Sequence, residues 1–355
     1  MLAAHPSPLE RRWAAVAPPR WLDSARAIYD LLPHQRFRQL PAVDLPYDPR
    51  REEHWADAAR IADFASHLPP PNPTSEATTT PLVLDVGPGD GWPAIPLAAA
   101  RPDTLVLGLE PSPRRTRVCR DNARRLHLPN AAFLTADATQ IPLPDTTVHL
   151  ATASYSLEES ADPALAILEL RRVLRPGGVL RIAFQRWDLP APDIESVALL
   201  QGATGLLYQY ARRLREPPIE RRYTLLLPAH GPAAHVHREA LIAAAEEDRI
   251  LGETRLRTGS PLGLPLLERL APHATASLAV QLNRWTTDAL IGALDAAHFS
   301  EVRATLHSGE RGRDYGRRRI AEGRTTDLEE FHALTQEIGI RAATTDGAGM
   351  ITAIR

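Results

Sequence analysis

The segment Leu84-Asp85-Val86-Gly87-Pro88-Gly89-Asp90-Gly91 decides how this chain is read. An apolar run from Pro81 to Leu84 leads into it, and a stretch able to open a helix follows, with Pro93 in its first turn. A strand, a glycine turn and a helix in succession form a cradle for a nucleotide-like ligand. Each glycine removes a Cβ where the backbone must bend tightly or approach the ligand. A dinucleotide fingerprint would place its third glycine one residue later, where Trp92 stands. The turn by itself therefore indicates a nucleotide-type cofactor without saying which.

Outward from the turn, strands and helices alternate. Strands are expected at Leu82–Val86, Leu105–Leu109, Ala132–Thr135, Val148–Ser154 and Val179–Phe184, with helices near Ala94–Ala100, Ser112–Leu126 and Pro163–Leu174. That rhythm implies a parallel sheet with crossover helices. It stops after Trp187. Residues 188–275 read as an insertion that mixes helical stretches (Ile194–Leu214, Arg238–Ile250) with Pro-rich loops. The alternation then resumes with a helix at Thr287–Ala297, a strand at Glu301–Leu306, a helix at Asp327–Glu337 and a strand at Met350–Ile354. Ahead of the core, residues 1 to about 68 read as helical, with a second helix starting at Asp48 as N-cap and Pro49 at its first position. The proline-dense stretch from Leu68 to Ser75 is a linker. The expected fold is α/β: a Rossmann-like, doubly wound, mostly parallel sheet with an N-terminal helical segment and an inserted cap. The expected division is 1–78 as an N-terminal helical lid, 79–187 with 276–355 as the cofactor-binding core, and 188–275 as a substrate cap.

Composition narrows the chemistry. The 355 residues are 44% hydrophobic and 24% charged, as in a soluble globular protein. All 41 basic residues are Arg, which excludes a Lys Schiff base and a P-loop Lys. A net charge of −2 argues against a broad nucleic-acid footprint. The single cysteine, Cys119, rules out an intramolecular disulfide and a Cys-based metal site. His230, His235 and His237 have no acidic partner at ligand spacing, so no metal site is expected. No apolar run is long enough to span a bilayer and no cleavable signal opens the chain, so the expected location is the cytoplasm.

Four further features fall at the ends of expected strands, where open α/β sheets bind ligands. Glu110 ends the second strand, 19 residues after Gly91, where a carboxylate can accept both ribose hydroxyls. Asp137-Ala138 follows the third strand. The fourth runs into Ala153-Ser154-Tyr155-Ser156-Leu157-Glu158-Glu159, and Arg172-Val173-Leu174-Arg175-Pro176-Gly177-Gly178 turns the chain into the fifth. This ordered set resembles the class I S-adenosylmethionine-dependent methyltransferases, especially the branch with the ubiquinone/menaquinone-biosynthesis enzymes. The resemblance covers residues 80–186 well and 285–355 loosely. It implies that Asp85, Gly87, Gly89 and Gly91 form the cofactor turn, that Glu110 binds ribose, that Asp137 reads adenine, and that Ala138 and Ala153 add backbone contacts. It also implies S-adenosylhomocysteine as product. The chain departs from the branch at His149, where Asp is usual, and lacks a His near Glu158-Glu159; the Asn-Pro-Pro-Tyr signature of amine methylation is also absent.

For catalysis the candidates are Tyr155, Glu159 and His54. Tyr155 sits where the fourth strand opens, and its hydroxyl could bind the acceptor or its ring face the sulfonium. Glu159 could orient a substrate, although a Glu before a helix is often a solvated first-turn residue. His54 belongs to a cluster with Tyr47, Arg50, Arg51 and Trp55 that could fold over the cofactor as a lid. The expected function is methylation of a small-molecule acceptor, at oxygen or carbon, by in-line displacement. The alternatives are a non-catalytic S-adenosylmethionine-binding regulator or scaffold, and an RNA methyltransferase.

Overall fold

A computed structural model of the chain describes residues 5–32, 45–48, 50–70, 80–188, 192–246, 249–250, 253–305, 307–324 and 348–355. The strands are β1 (Arg20–Leu22), β2 (Leu82–Val86), β3 (Leu105–Glu110), β4 (Ala131–Thr135), β5 (Val148–Ser154), β6 (Leu174–Gln185) and β7 (Ile194–Gln201). They continue as β8 (Leu206–Leu214), β9 (Ile219–Leu227), β10 (Arg249–Ile250), β11 (Glu253–Arg255), β12 (Ala276–Asn283), β13 (Ser300–Thr305) and β14 (Ala348–Ile354). The helices are α1 (Pro8–Val16), α2 (Arg26–Leu31), α3 (Trp55–Ser66), α4 (Ala94–Ala100) and α5 (Pro113–Arg125), then α6 (Pro163–Val173), α7 (Pro232–Ala245), α8 (Leu264–Leu270), α9 (Thr287–Ala296) and α10 (Ser308–Ala321). The chain divides into two units, one of Met1–Pro33 with Trp187–Arg284 and the other of His34–Arg186 with Trp285–Arg355.

The second of these units holds the glycine turn. Its sheet has the order β13-β14-β6-β5-β2-β3-β4. Strands β4, β3, β2, β5 and β6 run parallel, and β14 and β13 close the far edge antiparallel. Strands of a parallel sheet are covered on both faces, which is why β2 (LVLDV) is apolar on consecutive residues instead of alternating. On one face Leu84, Leu107 and Leu109 pack with Ile167, Leu170, Leu290 and Leu294 of α6 and α9. On the other, Val83 and Val106 meet Phe64, Ile95 and Ala123 of α3, α4 and α5. The sheet is doubly wound, as expected. The chain leaves β2 toward β3 on one side, while β5 lies on the other, so the topological switch point falls between β2 and β5. Helix starts follow their local chemistry: Ser112, Asp162 and Thr286 cap α5, α6 and α9 through side-chain oxygens.

Helix α3 packs along α10, and glycines set the approach. A Cβ on Gly312 would lie 2.5 Å from the Trp55 carbonyl oxygen, and one on Gly316 would strike the Trp55 ring at 2.2 Å. The expected N-cap at Asp48 is corrected. Its carboxylate accepts the Arg50 N–H at 2.9 Å and its guanidinium, so it closes a local turn, and α3 begins only at Trp55 after a 3-10 turn at Glu52–His54. The helix expected at Asp327–Glu337 lies outside the described residues.

The other unit is a second seven-stranded sheet of order β1-β12-β9-β8-β7-β11-β10. All its pairs are antiparallel except β1 with β12. The helix expected over Ile194–Leu214 is instead the hairpin β7–β8. Gly202 and Gly205 form its turn, where a Cβ on Gly205 would stand 2.3 Å from the Leu227 carbonyl oxygen. Residues 1–33 join this unit and not the segment that carries α3. Trp13, fully buried, explains why: it stacks on Tyr208 at 5.5 Å and its indole N–H donates to Ser277 Oγ at 3.0 Å. Beneath it Glu10 is buried between Arg212 (2.6 Å) and Arg221 (3.3 Å). Among the described residues no helix is long and apolar enough to cross a membrane.

Candidate active site

The glycine turn stands at the C-terminal end of β2 with all three glycines at positive φ: +69° at Gly87, +60° at Gly89 and +121° at Gly91. Side chains would not fit at two of them. A Cβ on Gly87 would lie 2.5 Å from Ser156 Cβ, and one on Gly91 would lie 2.3 Å from Ile95 Cδ1. The turn is tied down from several directions. The Gly87 N–H donates to the Leu109 carbonyl at 2.8 Å. From α5, the Cys119 thiol donates to the Gly89 carbonyl at 3.1 Å, Asn122 donates to the Asp90 carbonyl at 3.0 Å, and Arg115 pairs with the Asp90 carboxylate at 3.1 Å. Burial raises the Cys119 thiol well above its usual range, which keeps it a donor.

Glu110 completes the cradle. It is 5% exposed at the end of β3; Oε2 accepts the Gly89 N–H at 3.1 Å and Oε1 accepts the Ser112 N–H at 3.0 Å. Asp85 is fully buried: it accepts the Thr152 hydroxyl at 2.8 Å and the Ala94 N–H at 3.1 Å. Burial pushes its carboxyl up to about 7, against the two hydrogen bonds that lower it, with Glu110 adding to the rise. Its side chain therefore ties β2 to β5 and to the start of α4. Asp137, after β4, accepts the Thr139 N–H (2.9 Å) and hydroxyl (2.8 Å) and stays half-buried, while Ala138 and Ala153 are buried.

Across the switch point, Tyr155 follows β5 with a φ of +55°, a strained position for a non-glycine residue. Its N–H donates to the Ala183 carbonyl at 2.8 Å, and its hydroxyl meets His307 Nε2 at 2.9 Å. The next residue, Ser156, is the one packed against Gly87. His307 escaped the sequence reading. It precedes α10, 152 residues from its partner, and no local pattern marks it. Burial, then Arg60, Arg313 and Arg181, push its imidazole down to about 4, so it is neutral near pH 7. Trp92, immediately after the turn, carries the Arg60 guanidinium over its ring at 3.8 Å. Arg60 Nε and His307 Nδ1 are buried without hydrogen-bond partners among the described residues.

Of the other expected catalytic residues, Glu159 ends a 3-10 turn and is half-buried, whereas its neighbour Glu158 is 4% exposed and accepts the Gln185 N–H at 3.4 Å. His54 is buried edge-on against Tyr47, and its Nδ1 accepts the Asp48 N–H at 3.1 Å. These contacts hold the chain ahead of α3 in place. The structure thus brings Gly87, Gly89, Gly91, Glu110, Ala153 and Tyr155 to the ends of β2, β3 and β5. It uses Asp85 beneath them and His54 in a local turn.

The residues present suit S-adenosylmethionine. Two of the glycines leave no room for a Cβ, a buried carboxylate at the end of β3 bonds the turn, and the Arg60 guanidinium, its Nε unpartnered among the described residues, lies over the Trp92 ring that follows it. The family model described as a methyltransferase domain matches residues 84–182. The 27-O-demethylrifamycin SV methyltransferase of Amycolatopsis mediterranei is 36% identical over 214 residues, 54% of this chain and 77% of that one. A demethylmenaquinone methyltransferase of Thermus thermophilus is 32% identical over 127 residues, 36% of this chain and 52% of that one. Against several of the curated relatives that it matches, the chain spans only about half their length. Among solved structures, a S-adenosylmethionine-dependent methyltransferase from Clostridium acetobutylicum aligns with a TM-score of 0.46 at 10% identity, over 90% of this chain and 95% of that one. The chain belongs to the class I S-adenosylmethionine-dependent methyltransferases. Its cofactor is S-adenosylmethionine.

Proposed function

We propose that this methyltransferase acts on a small-molecule acceptor, at oxygen or carbon, by in-line transfer. The observation that carries the reading is the glycine turn fixed at the β2–β5 switch point with the Glu110 carboxylate bonded to it. The name of the rifamycin enzyme, an O-methyltransferase of a small molecule, supports an oxygen acceptor. A net charge of −2 supports a partner other than RNA.

When bound, the cofactor supplies a methyl group already activated by its sulfonium. The chain's task is then to hold the acceptor on the methyl axis and keep water out. Glu110 accepts the ribose hydroxyls, Asp137 accepts from the adenine amino group, and the backbone at Gly87, Gly89, Ala138 and Ala153 lines the path between. Tyr155, at the end of β5, orients the acceptor. His54 already spends Nδ1 on the Asp48 N–H. Residues 188–275 are assigned to acceptor recognition, because cofactor binding requires none of them.

The test is transfer of labelled methyl from S-adenosylmethionine to a panel of phenolic, enolic and alcoholic small molecules, with bulk RNA as comparison. Labelled small-molecule product supports the reading. Label only in RNA favours the RNA enzyme, and tight cofactor binding with no transfer to any acceptor favours a regulatory or scaffold role.

A further inference from the structure

The antiparallel unit uses the two faces of its sheet differently. Trp13 packs on Tyr208, Tyr210 and Tyr223, and because side chains alternate along a strand, Gln209, Ala211 and Arg222 take the opposite face. Helix α2 covers part of that face, where Ile28 packs with Val280 and Leu282 of β12. Beside this contact lies a cavity of about 200 Å³ lined by Tyr29, Leu32, Gln209, Ala211, Arg222 and Glu253. Every one of these residues belongs to the antiparallel unit. The space exists because β8 contributes only the Ala211 methyl between Gln209 and Arg213 on this face. A void of about 150 Å³ already accepts benzene, so the cavity has room for a six-membered ring with small substituents.

Its walls specify what the ring must carry. Glu253 accepts the Ser196 hydroxyl and the Arg213 guanidinium, both at Oε2. Gln209 donates from Nε2 to Thr224 Oγ1 at 3.2 Å. Among the described residues Glu253 Oε1 and Gln209 Oε1 take no hydrogen bond, so a ligand fits them by donating. The cations nearby are already paired. Arg213 lies 3.0 Å from Glu253 and 3.4 Å from Glu220, and Arg222 donates to Glu220 at 2.7 Å and to the Tyr29 hydroxyl at 3.1 Å. Glu253 repels a carboxylate, and the two guanidiniums repel an ammonium; a neutral hydroxyl meets neither penalty. We propose that this cavity binds a small neutral ring bearing hydroxyl groups. Tyr29 and Leu32 pack on the ring, and Glu253 and Gln209 accept its hydroxyl hydrogens. The same chemistry serves a methyl acceptor or a separate effector.

The experiment is ligand-observed NMR titration of the full chain with resorcinol, and with benzoate and benzylamine as anionic and cationic comparisons, in wild type, Ala211→Leu and Gln209→Leu. The expected result is resorcinol binding to the wild type about fivefold or more tighter than either ion. Ala211→Leu, which fills the cavity, abolishes that binding, and Gln209→Leu, which removes one acceptor, weakens it about fivefold. No resorcinol binding by the wild type, equal binding of the ions, or unchanged binding in Ala211→Leu overturns the proposal. Should Ala211→Leu fail to fold, unchanged binding in Gln209→Leu, a change at a half-buried side chain, overturns it equally. Binding is read without S-adenosylmethionine, so failure here leaves the methyltransferase assignment standing. Incubation with the labelled cofactor then separates the two sources. Methylated resorcinol makes the ring an acceptor, and bound resorcinol recovered unmethylated makes it an effector; either supports the site.

Discussion

The Glu110 carboxylate accepts the backbone N–H of Gly89 at 3.1 Å, across 21 residues of sequence, and so ties the acid at the end of β3 to the middle of the glycine turn. One carboxylate thus fixes the shape of the turn, and on the proposed reading it also receives the ribose hydroxyls. Glu110→Gln puts an amide N–H where an acceptor is required. We expect S-adenosylhomocysteine affinity to fall at least tenfold, with a loss of about 1 kcal/mol or more in stability from the mismatched buried donors. Titration calorimetry and urea denaturation read the two effects separately.

The three glycines should not tolerate alanine equally. Gly87→Ala and Gly91→Ala drive a Cβ to 2.5 Å and 2.3 Å from Ser156 and Ile95 at positive φ, and each should destabilise by about 2 kcal/mol or more. Gly89→Ala meets only Arg115 Nη1 at 4.0 Å, so its cost is the backbone term alone, about 1 kcal/mol. Gly89→Ala should therefore fold and yet bind the cofactor poorly. Thermal melts with and without S-adenosylhomocysteine distinguish these cases.

Asp85 makes stability depend on pH in an unusual direction. Its carboxyl, raised to about 7 chiefly by burial, holds in the folded state a proton that the unfolded chain releases near the ordinary carboxylate value of 3.8. The contribution is complete below that value and is lost as pH rises through about 7. Between about pH 6 and about pH 8 the wild type should lose about 1 kcal/mol from this group. Asp85→Asn, neutral throughout, should lack that slope. Urea midpoints measured at both pH values give the answer, and equal slopes in the two proteins would refute it.

In the antiparallel unit, Glu10 sits between Arg212 and Arg221, with Arg221 fully buried. It also receives the Tyr223 hydroxyl at 3.2 Å and closes the capping box of α1 with Ser7. Glu10→Ala removes the carboxylate beside the fully buried Arg221 guanidinium and should cost about 3 kcal/mol, whereas exposed Arg12→Ala should cost little. Chemical denaturation of both variants compares the two.

The parallel core was legible because its signals are local. The apolar run of β2 and the glycine turn sit within one strand–turn–helix step, and Glu110 ends the next strand 19 residues after Gly91. The β7–β8 hairpin was not. Ile194–Leu214 is rich in Ala, Leu, Gln and Arg, which suit a helix, and only the pairing with β9 and β11 makes it a sheet. The turn signal at Gly202 and Gly205 was present but lay inside a run read as helical. His307 was illegible for a different reason: its significance comes from Tyr155, and no spacing rule joins residues 152 apart.

The central claim is that Gly87–Gly91 and Glu110 cradle the cofactor. A crystal structure with S-adenosylhomocysteine tests it most directly. The predicted result is ribose hydroxyls on the Glu110 carboxylate, adenine beside Asp137, and the amino-acid end along the glycine turn with sulfur facing Tyr155. Ligand density away from the turn, with Glu110 touching none of it, would contradict the account.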